Sequence, residues 1–369
     1  MAFSSEVNVS VASQVALQER SLDPDGPEEW KAMRVLGHRM LDDMLDSLEQ
    51  VRQRPVWRPM PGDTKAWFDA PAPVEGDGAE RAYEDFRRHV QPYPTGNTHP
   101  RFWGWVLGSG TPLGMLSDML AAGFNPNCWG NETGAAYVEG QVIAWLKALM
   151  RFPSDASGLL VTGCSMANLI GISVGRNVKS GMDLAGRGLV GLQQAPVLYC
   201  STETHNSVDK AALLLGLGAA AVRKIPVNAS YQIDIDALLA AIAEDRGAGL
   251  HPFAIVANAG TVNTGAIDDL NRIADIAATQ DLWMHVDGAF GAMAALEPNA
   301  IDRVSGMERA DSLAFDLHKW LYVPFDAACV LVRDAAAHRR AFSPPASYLA
   351  HETRGTGSGV HWFNELGME

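Results

Sequence analysis

The first candidate for a chemical role is Lys319, judged by its residue type and its position. It follows an apolar run and lies between His318 and Trp320. A lysine at the end of a buried strand is costly unless it is paired or chemically used, and burial makes its amine a nucleophile toward aldehydes. On position alone, a lysine whose ammonium group reaches solvent is the more common arrangement. Lys319 therefore needs support from other residues.

Asp287 is the second candidate, because it follows the apolar run Leu-Trp-Met-His-Val. An aspartate in such a place needs a cationic or hydrogen-bonding partner. A protonated ring nitrogen would be a suitable partner, since the carboxylate would keep that nitrogen charged. The ordinary alternative is an aspartate that caps a helix N-terminus.

Two further segments complete the set. Val161-Thr-Gly-Cys-Ser-Met-Ala-Asn168 is rich in small residues and precedes a predicted helix over 169–178. Such a loop either cradles a phosphate at the helix N-terminus or is simply capped. The chain has no GxGxxG or Walker A pattern, so nothing indicates a dinucleotide or ATP. His205, which follows another apolar run, would stack on a planar ring or carry a proton, although a lone histidine is more often structural.

The joint occurrence of these residues favours chemistry over the separate structural alternatives. A phosphate cradle, a ring-stacking imidazole, an acid for a ring nitrogen and a Schiff-base lysine are the set that pyridoxal phosphate requires. His205, Thr261, Asp287 and Lys319 each come at the end of a predicted strand. We therefore expect a site for this cofactor, and no metal site.

The elements that position these residues follow from the hydrophobic pattern. Helices are predicted over 28–52 and 78–90, then over 112–122 and, largely buried, 134–151. Further along, strands at 196–202, 253–259, 282–287, 312–315 and 329–333 alternate with helices at 207–216, 236–246 and 268–280. This alternation predicts an α/β fold with a mostly parallel sheet, whose ligand sites lie at the carboxyl ends of its strands.

Composition limits the classes of function. The net charge of −14 argues against a nucleic-acid binder and gives no attraction to anionic lipid. Residues 1–20 contain no apolar run long enough for a signal peptide or a membrane span. Four cysteines (Cys128, Cys164, Cys200 and Cys329) lack metal-ligand spacing, and three of them lie in segments typical of a core. We expect free thiols and a cytoplasmic protein.

From about residue 28 to its last residue, the chain resembles the group II pyridoxal-phosphate-dependent amino-acid decarboxylases. This family comprises aromatic-L-amino-acid, tyrosine, histidine and animal glutamate decarboxylases. The most specific match is His285-Val-Asp-Gly-Ala289 followed by Asp311-Ser-Leu-Ala-Phe-Asp-Leu-His-Lys-Trp320. Further matches are His99-Pro-Arg-Phe-Trp103, Asn125-Pro-Asn127, the Thr-Gly-Cys-Ser-Met-Ala-Asn segment and Thr204-His-Asn-Ser-Val-Asp-Lys210.

The resemblance implies a role for each matched residue. Lys319 would form the Schiff base with the cofactor, Asp287 would pair with the pyridine nitrogen, and His205 would stack on the ring and assist proton transfer. The other cofactor-binding positions would be Cys164, Ser165, Thr261, Ala289, Asp316 and His318. Asp316 departs from the asparagine of animal members, and an acid beside a phosphate repels it unless the acid is protonated or turned aside.

Tyr348 bears on the reaction. It matches the mobile-loop tyrosine that delivers a proton after CO2 leaves, and members with phenylalanine there resemble aldehyde-forming enzymes. The resemblance therefore implies decarboxylation of an L-amino acid to an amine and CO2. Trp103, Trp105 and Trp129 could stack on an aromatic substrate or could equally be core. No arginine stands out as a clamp for a second carboxylate, so an aromatic substrate is preferred.

The resemblance also implies an organisation. The fold would be type I (aspartate aminotransferase-like), with a seven-stranded central sheet flanked by helices and an N-terminal helical segment. Residues 1–90 would hold a leader and helices that wrap a second subunit of a homodimer, residues 91–350 the cofactor-binding domain, and residues 351–369 the start of a connection to a small C-terminal domain that the chain lacks. The alternatives are another pyridoxal-phosphate reaction, such as an aldehyde synthase or a carbon–carbon or carbon–sulfur lyase, and a non-catalytic remnant that dimerises.

Overall fold

A computed structural model of the chain describes residues 23–126, 133–181 and 184–342. These residues form two compact units that meet in sequence between Thr95 and Gly96. The predicted leader, Cys128, Trp129, Tyr348 and the segment 351–369 lie outside the described residues. In the part of the chain that the structure describes, no helix combines the length and the apolar character that a membrane span requires.

The first unit consists of helices, as predicted. They are α1 (Gly26–Glu49), α2 (Gly62–Trp67) and α3 (Ala79–Asp85), and a π-helical turn over Phe86–Val90 continues α3. The Tyr83 hydroxyl donates to Asp43 Oδ2 at 2.7 Å and joins α3 to α1. Burial raises the pKa of Tyr83 to about 12, so its hydroxyl stays a donor.

The second unit is built on a seven-stranded sheet in the order β1-β7-β6-β5-β4-β2-β3. Its strands are β1 (Ser157–Val161), β2 (Pro196–Ser201), β3 (Val222–Ile225), β4 (His251–Asn258), β5 (Trp283–Asp287), β6 (Ser312–Asp316) and β7 (Ala328–Val332). Only β7 runs antiparallel to its neighbours, β1 and β6. The mostly parallel sheet is confirmed.

Five of these strands agree with the sequence prediction, and β1 and β3 were missed. β1 contains Gly158 and no alternating pattern, and β3 has Arg223 and Lys224 in a run of only four residues. Both strands lie at the edges of the sheet, where the hydrophobic signal is weakest because one side is unpaired.

Helices cover both faces of the sheet. The helices of the second unit are α4 (Pro112–Phe124), α5 (Gly134–Leu149), α6 (Cys164–Lys179), α7 (Leu184–Arg187), α8 (Ser207–Leu214), α9 (Ile235–Gly247), α10 (Leu270–Thr279) and α11 (Ala335–Phe342). Of these, α6, α9 and α10 each pack directly on more than one strand. Alternate residues of each strand face opposite layers. Ile255 joins the core under α9 and α10, whereas Val256 joins the core under α6 and α8.

The prediction that the helix over 134–151 is largely buried is wrong for the described chain. In α5 only Ala136 and Leu146 are buried, whereas Tyr137, Val138 and Trp145 are exposed. The apolar pattern of this helix is real, but one of its faces is not covered by the residues that the structure describes. An uncovered apolar face of this kind is typical of an interaction surface.

Candidate active site at the carboxyl edge of the sheet

A cavity of about 410 Å³ lies where the carboxyl ends of the parallel strands meet. Its lining combines residues that follow β1, β2, β4, β5 and β6 with two outer segments, 105–107 and 325–326. The candidate residues among them are Cys164, Ser165, His205, Thr261, Asp287, Ala289, Asp316, His318 and Lys319. The structure thus brings together nine of the ten predicted site residues, and the tenth, Tyr348, lies outside the described residues.

Lys319 does not extend into solvent. Its Nζ lies 2.7 Å from Asp316 Oδ2, and its side chain is only 20% exposed. The loop that carries Lys319 is held closely, because a Cβ atom on Gly108 would lie 1.5 Å from the His318 carbonyl oxygen. The side chain of Asn97 donates to the Gly108 carbonyl at 2.8 Å and fixes that approach. The solvent-reaching alternative for this lysine is therefore wrong.

Asp316 holds two elements together with its two oxygens. Oδ1 accepts a hydrogen bond from the backbone N–H of Cys164 at 2.6 Å, and Oδ2 pairs with Lys319. His318 Nε2 lies 3.6 Å from Oδ2. Burial lowers the pKa of His318, and its Nδ1 accepts the N–H of Ala327 at 3.1 Å. The Asp316 carboxylate is therefore turned toward the lysine and the first turn of α6.

Asp287 ends strand β5 and is buried, but its partners are neutral. Oδ2 accepts a hydrogen bond from the side-chain amide of Asn168 at 2.9 Å, and Oδ1 accepts the N–H of Ala289 at 3.1 Å. The Cys164 thiol donates to Oδ1 at 3.6 Å. Burial and the nearby carboxylates raise the pKa of Cys164 well above its usual range, so the thiol adds no negative charge. Among the described residues, no cation pairs with Asp287.

The small-residue loop leads directly into α6. The helix begins at Cys164, five residues before the predicted start, and Gly163 is its N-cap. Ser165 is exposed in the first turn and lines the cavity. The prediction failed at this boundary because Cys-Ser-Met-Ala-Asn carries loop-type residues into a helix that packs on the sheet. The positive end of the helix dipole therefore points at the cavity.

His205 and Thr261 complete the wall of the cavity. His205 is exposed toward it, and its Nδ1 lies 3.0 Å from the Ser207 hydroxyl. Thr261 is buried, and its hydroxyl contacts that of Thr264 at 2.7 Å. Ala289 lies two residues after Asp287 and is half-buried. Each of these residues lies in a turn that directly follows a strand.

Two of the tryptophans considered as substrate contacts, Trp103 and Trp105, lie in the described residues and differ in their position relative to the cavity. Trp105 lines the cavity and is 80% exposed, and Trp103 is exposed without lining it. The core alternative is therefore wrong for both in the described chain. The cysteine prediction is confirmed for Cys164, Cys200 and Cys329, which are buried free thiols.

Sequence reasoning missed a group of polar residues beneath the cavity. Asn168 and Ser207 line it, whereas His285 and Ser312 lie deeper and are fully buried. Their positions gave a signal. His285 is two residues before Asp287 and therefore on the same face of the strand, and Asn168 is four residues after Cys164 on one face of a helix.

Comparisons with known proteins agree with this geometry. The model of the pyridoxal-dependent decarboxylase conserved domain matches residues 61–363. An aromatic-L-amino-acid decarboxylase of Bacillus atrophaeus is 35% identical over 340 residues, which are 91% of this chain and 69% of that protein. A histidine decarboxylase of Drosophila melanogaster is 32% identical over 354 residues, which are 90% of this chain but only 41% of that protein.

A solved structure and one further relative extend the comparison. The crystal structure of Oryza sativa TDC with PLP and tryptamine superposes with a TM-score of 0.79 at 25% identity, over 90% of this chain and 69% of that one. A phenylacetaldehyde synthase of Petunia hybrida is 29% identical over 88% of this chain and 65% of that protein. The extent of the family match and the identity to the Bacillus enzyme decide the assignment. The chain belongs to the pyridoxal-dependent decarboxylase family.

Proposed function

We propose that the chain catalyses the decarboxylation of an L-amino acid, preferably an aromatic one, to the amine and CO2, with pyridoxal phosphate as cofactor. One observation carries the proposal. A lysine amine, an imidazole, a buried carboxylate with neutral partners and a helix N-terminus all line the same cavity. This donor set is the one that the cofactor needs.

The residues fit the cofactor in four places. Lys319 would hold it covalently, and Asp287 would accept the proton of its ring nitrogen, for which it has spare acceptor capacity and no competing cation among the described residues. His205 and Ala289 would flank the ring. The first turn of α6, with Ser165, would bind the phosphate. Asp316 fits as the partner of Lys319 rather than as a phosphate ligand, because its carboxylate faces the ammonium group.

Bound pyridoxal phosphate supplies an electron sink for the electron pair that remains when CO2 leaves the substrate. The residues of the chain orient the reacting groups, exclude water and move protons. Asp316 accepts the hydrogen bond of Lys319 and directs the amine toward the cavity. Asp287 lines the cavity and is buried, so its carboxylate is positioned in advance for a positively charged group of the cofactor. His205 faces the cavity as a proton carrier, and Tyr348 would deliver the proton that replaces CO2.

The walls of the cavity support an aromatic substrate. Trp105, Phe290 and Phe325 line it and offer ring faces or edges for stacking. Among the described residues, no arginine lines the cavity, so a substrate with a second carboxylate would lack a bidentate partner. Thr261 would contact the cofactor, and His318 would support the loop of Lys319.

The exposed apolar faces support a homodimer. In the second unit, Leu113, Phe124 and Trp145 on α4 and α5 are all more than half exposed. In the first unit, Trp30 and Val35 on α1 are also exposed. We propose that a second copy covers these faces, with residues 1–90 as wrapping segment, residues 91–350 as cofactor-binding domain and residues 351–369 as a connection. We also propose a cytoplasmic location.

The test is a direct assay of the purified chain. With added pyridoxal phosphate it should turn yellow and release CO2 and an amine from aromatic amino acids. Lys319→Ala should lose both properties, and Lys179→Ala is the matched control, because Lys179 pairs with Asp281 far from the cavity. Absence of a visible absorption band in the wild type would refute the proposal.

A second candidate reaction has support from one observation, the similarity to phenylacetaldehyde synthase. Product analysis separates the two reactions. A decarboxylase releases the plain amine, whereas an aldehyde synthase consumes O2 and water and releases an aldehyde with CO2, ammonia and hydrogen peroxide. Cofactor binding without any turnover would instead indicate the non-catalytic alternative.

A further inference from the structure

A continuous chain of buried polar side chains runs beneath the cavity, and Asn168 lies at its branch point. Its side-chain amide contacts His285 Nε2 with Oδ1, and Asp287 Oδ2 and the Ser207 hydroxyl with Nδ2, each at 2.9 Å. Asn168 is 1% exposed, so water does not compete for these bonds. Three of the four hydrogen-bonding positions of this amide thus engage residues of β5 and α8, and the Cys164 thiol lies 3.8 Å from Oδ1 at the fourth.

The direction of each hydrogen bond follows from the acceptor at one end. The Asp287 carboxylate only accepts, so the atom of Asn168 that faces it is the amide nitrogen. The other atom, Oδ1, must then accept from His285 Nε2, which therefore carries the ring proton. Burial lowers the pKa of His285 to about 4, so the ring is neutral and its Nδ1 is an acceptor.

Ser312 lies at the deep end of this series of hydrogen-bonded side chains. Its hydroxyl oxygen accepts from Trp283 Nε1, which can only donate, at 2.8 Å. The hydroxyl proton is then directed to His285 Nδ1 at 2.8 Å. Ser312 therefore fixes the tautomer of His285, and His285 fixes which way the Asn168 amide faces.

The second branch reaches the cavity through Ser207. Because its hydroxyl oxygen accepts from Asn168, its proton is free to donate to His205 Nδ1 at 3.0 Å. The backbone N–H of Ser207 donates to the same nitrogen at 3.3 Å. Two donors on Nδ1 leave the proton of a neutral His205 on Nε2.

The packing of α6 on β5 shows that this arrangement is built into the fold. Trp283, His285 and Asp287 alternate along β5 and face α6. Opposite the two rings, α6 has glycines, since a Cβ on Gly175 would lie 2.6 Å from Trp283 and one on Gly171 would lie 2.5 Å from His285 Nδ1. Small residues stand where rings approach, and Asn168 stands where a carboxylate must be held.

We propose that Asn168 is a positioning residue for the reaction proposed above. Oriented by His285, it fixes the carboxylate of Asp287 and, through Ser207, holds the proton of His205 on Nε2. The proposal rests on the proposed function, because it assigns Asp287 and His205 to the cofactor. Its physical content, the direction of the hydrogen bonds, holds without cofactor and is tested first.

The first experiment is nitrogen-15 NMR of the full chain labelled at its histidines, without cofactor. The chain has 10 histidines, and spectra of His205→Gln and His285→Gln identify the two resonance pairs. We expect a proton on Nε2 and a bare Nδ1 in both rings at neutral pH. A proton on Nδ1 of His285 would reverse the Asn168 amide and overturn the proposal, and this result needs no folded variant of Asn168.

The second experiment uses Asn168→Asp, which replaces the donor with an acceptor that faces Asp287 and Ser207. The Ser207 proton should turn to the new carboxylate, so the Nδ1–H form of His205 should increase. Affinity for pyridoxal phosphate, measured by titration of the visible band, should fall at least about tenfold. Asn177→Asp on the same helix is the matched control, because among the described residues the side chain of Asn177 hydrogen-bonds only to Arg176, and it should match the wild type.

The outcomes separate the two proposals. If Asn168→Asp leaves both the His205 spectrum and the cofactor affinity unchanged, Asn168 does not position the site. If Asn168→Asp does not fold, Ser207→Ala tests the second branch, and an unchanged Nδ1 shift of His205 would then count against it. If the wild type shows the expected tautomers but binds no pyridoxal phosphate, the proposed function fails while the network stands.

Discussion

Asp287 and Asp316 end neighbouring strands and are both buried, yet their surroundings differ. Asp316 has the ammonium group of Lys319 at 2.7 Å, so its charge is compensated within the described chain. Asp287 has an amide, a backbone N–H and a thiol, all neutral. The same residue type at equivalent positions thus forms a closed ion pair in one case and an open negative charge in the other. A buried carboxylate left open in this way is suited to a cation that arrives with a ligand.

The first turn of α6 couples the two regions. The Cys164 backbone N–H donates to Asp316, and its thiol donates to Asp287. A thiolate in this place would be a third negative charge, and the raised pKa of Cys164 prevents it. The helix N-terminus therefore stabilises both carboxylates while it leaves their partners different.

Lys319→Ala should have the largest effect on this comparison, because it leaves the carboxylate of Asp316 without a cationic partner, like that of Asp287. We expect a loss of turnover on the order of 10³-fold or more, since the proposed nucleophile is removed. The free energy of unfolding should fall by about 1–3 kcal/mol, because a buried carboxylate loses its partner. Urea denaturation checks this, and the double variant Lys319→Ala/Asp316→Asn should recover part of the loss. Equal stabilities of the single and double variants would show that the ion pair does not matter.

Asp287→Asn and Asp316→Asn form the second test, because each removes one of the two charges. Asp287→Asn should lower turnover by about 10²–10³-fold, as loss of one preorganised electrostatic contact does. Its effect on the free energy of unfolding should be the smaller of the two, since relief of an uncompensated buried charge offsets the lost bond to Asn168. Asp316→Asn should destabilise the chain without cofactor, because it breaks the pair with Lys319. If Asp287→Asn is the more destabilising variant, then the charge of Asp287, and not that of Asp316, is the one that the folded chain compensates.

The sequence predicted the positions of these carboxylates but not the difference between them. Asp287 and Lys319 could be placed at strand ends because apolar runs precede them, and the structure confirms those strands. The partner of Lys319 could not be chosen, because Asp316 was assigned by resemblance to the phosphate. Asn168 lies four residues after Cys164, but its segment looks like a loop in the sequence, and its role depends on the packing of α6 against β5. Side-chain contacts between residues far apart in sequence do not produce a periodic residue pattern.

The pH dependence of stability tests whether His285, which contacts the Asn168 amide that holds Asp287, is kept neutral by burial. Burial lowers the pKa of His285 to about 4 from an ordinary value of 6.5. The unfolded chain therefore binds a proton that the folded chain refuses, and the free energy of unfolding falls as the pH falls from about 6.5 to about 4. Between pH 7 and pH 5, His285 should account for about 2 kcal/mol of that fall. Urea titrations of the wild type and His285→Gln at both pH values measure it, and an equal fall in both proteins would contradict the prediction.

Gly171→Ala tests whether the packing that supports Asp287 has room for one more methyl group. A methyl group at this position would lie 2.5 Å from His285 Nδ1 and 3.0 Å from the Ser312 hydroxyl oxygen, so the ring must shift. We expect a loss of about 1–3 kcal/mol in the free energy of unfolding, although alanine favours a helix over glycine. Gly247→Ala at the end of α9 is the control, because its new methyl group would meet no atom within 4 Å. Since the shift acts on Asn168 through His285, cofactor affinity should fall with stability in Gly171→Ala. The ion pair of Asp316 and Lys319 lies outside this packing, so its contribution should stay unchanged.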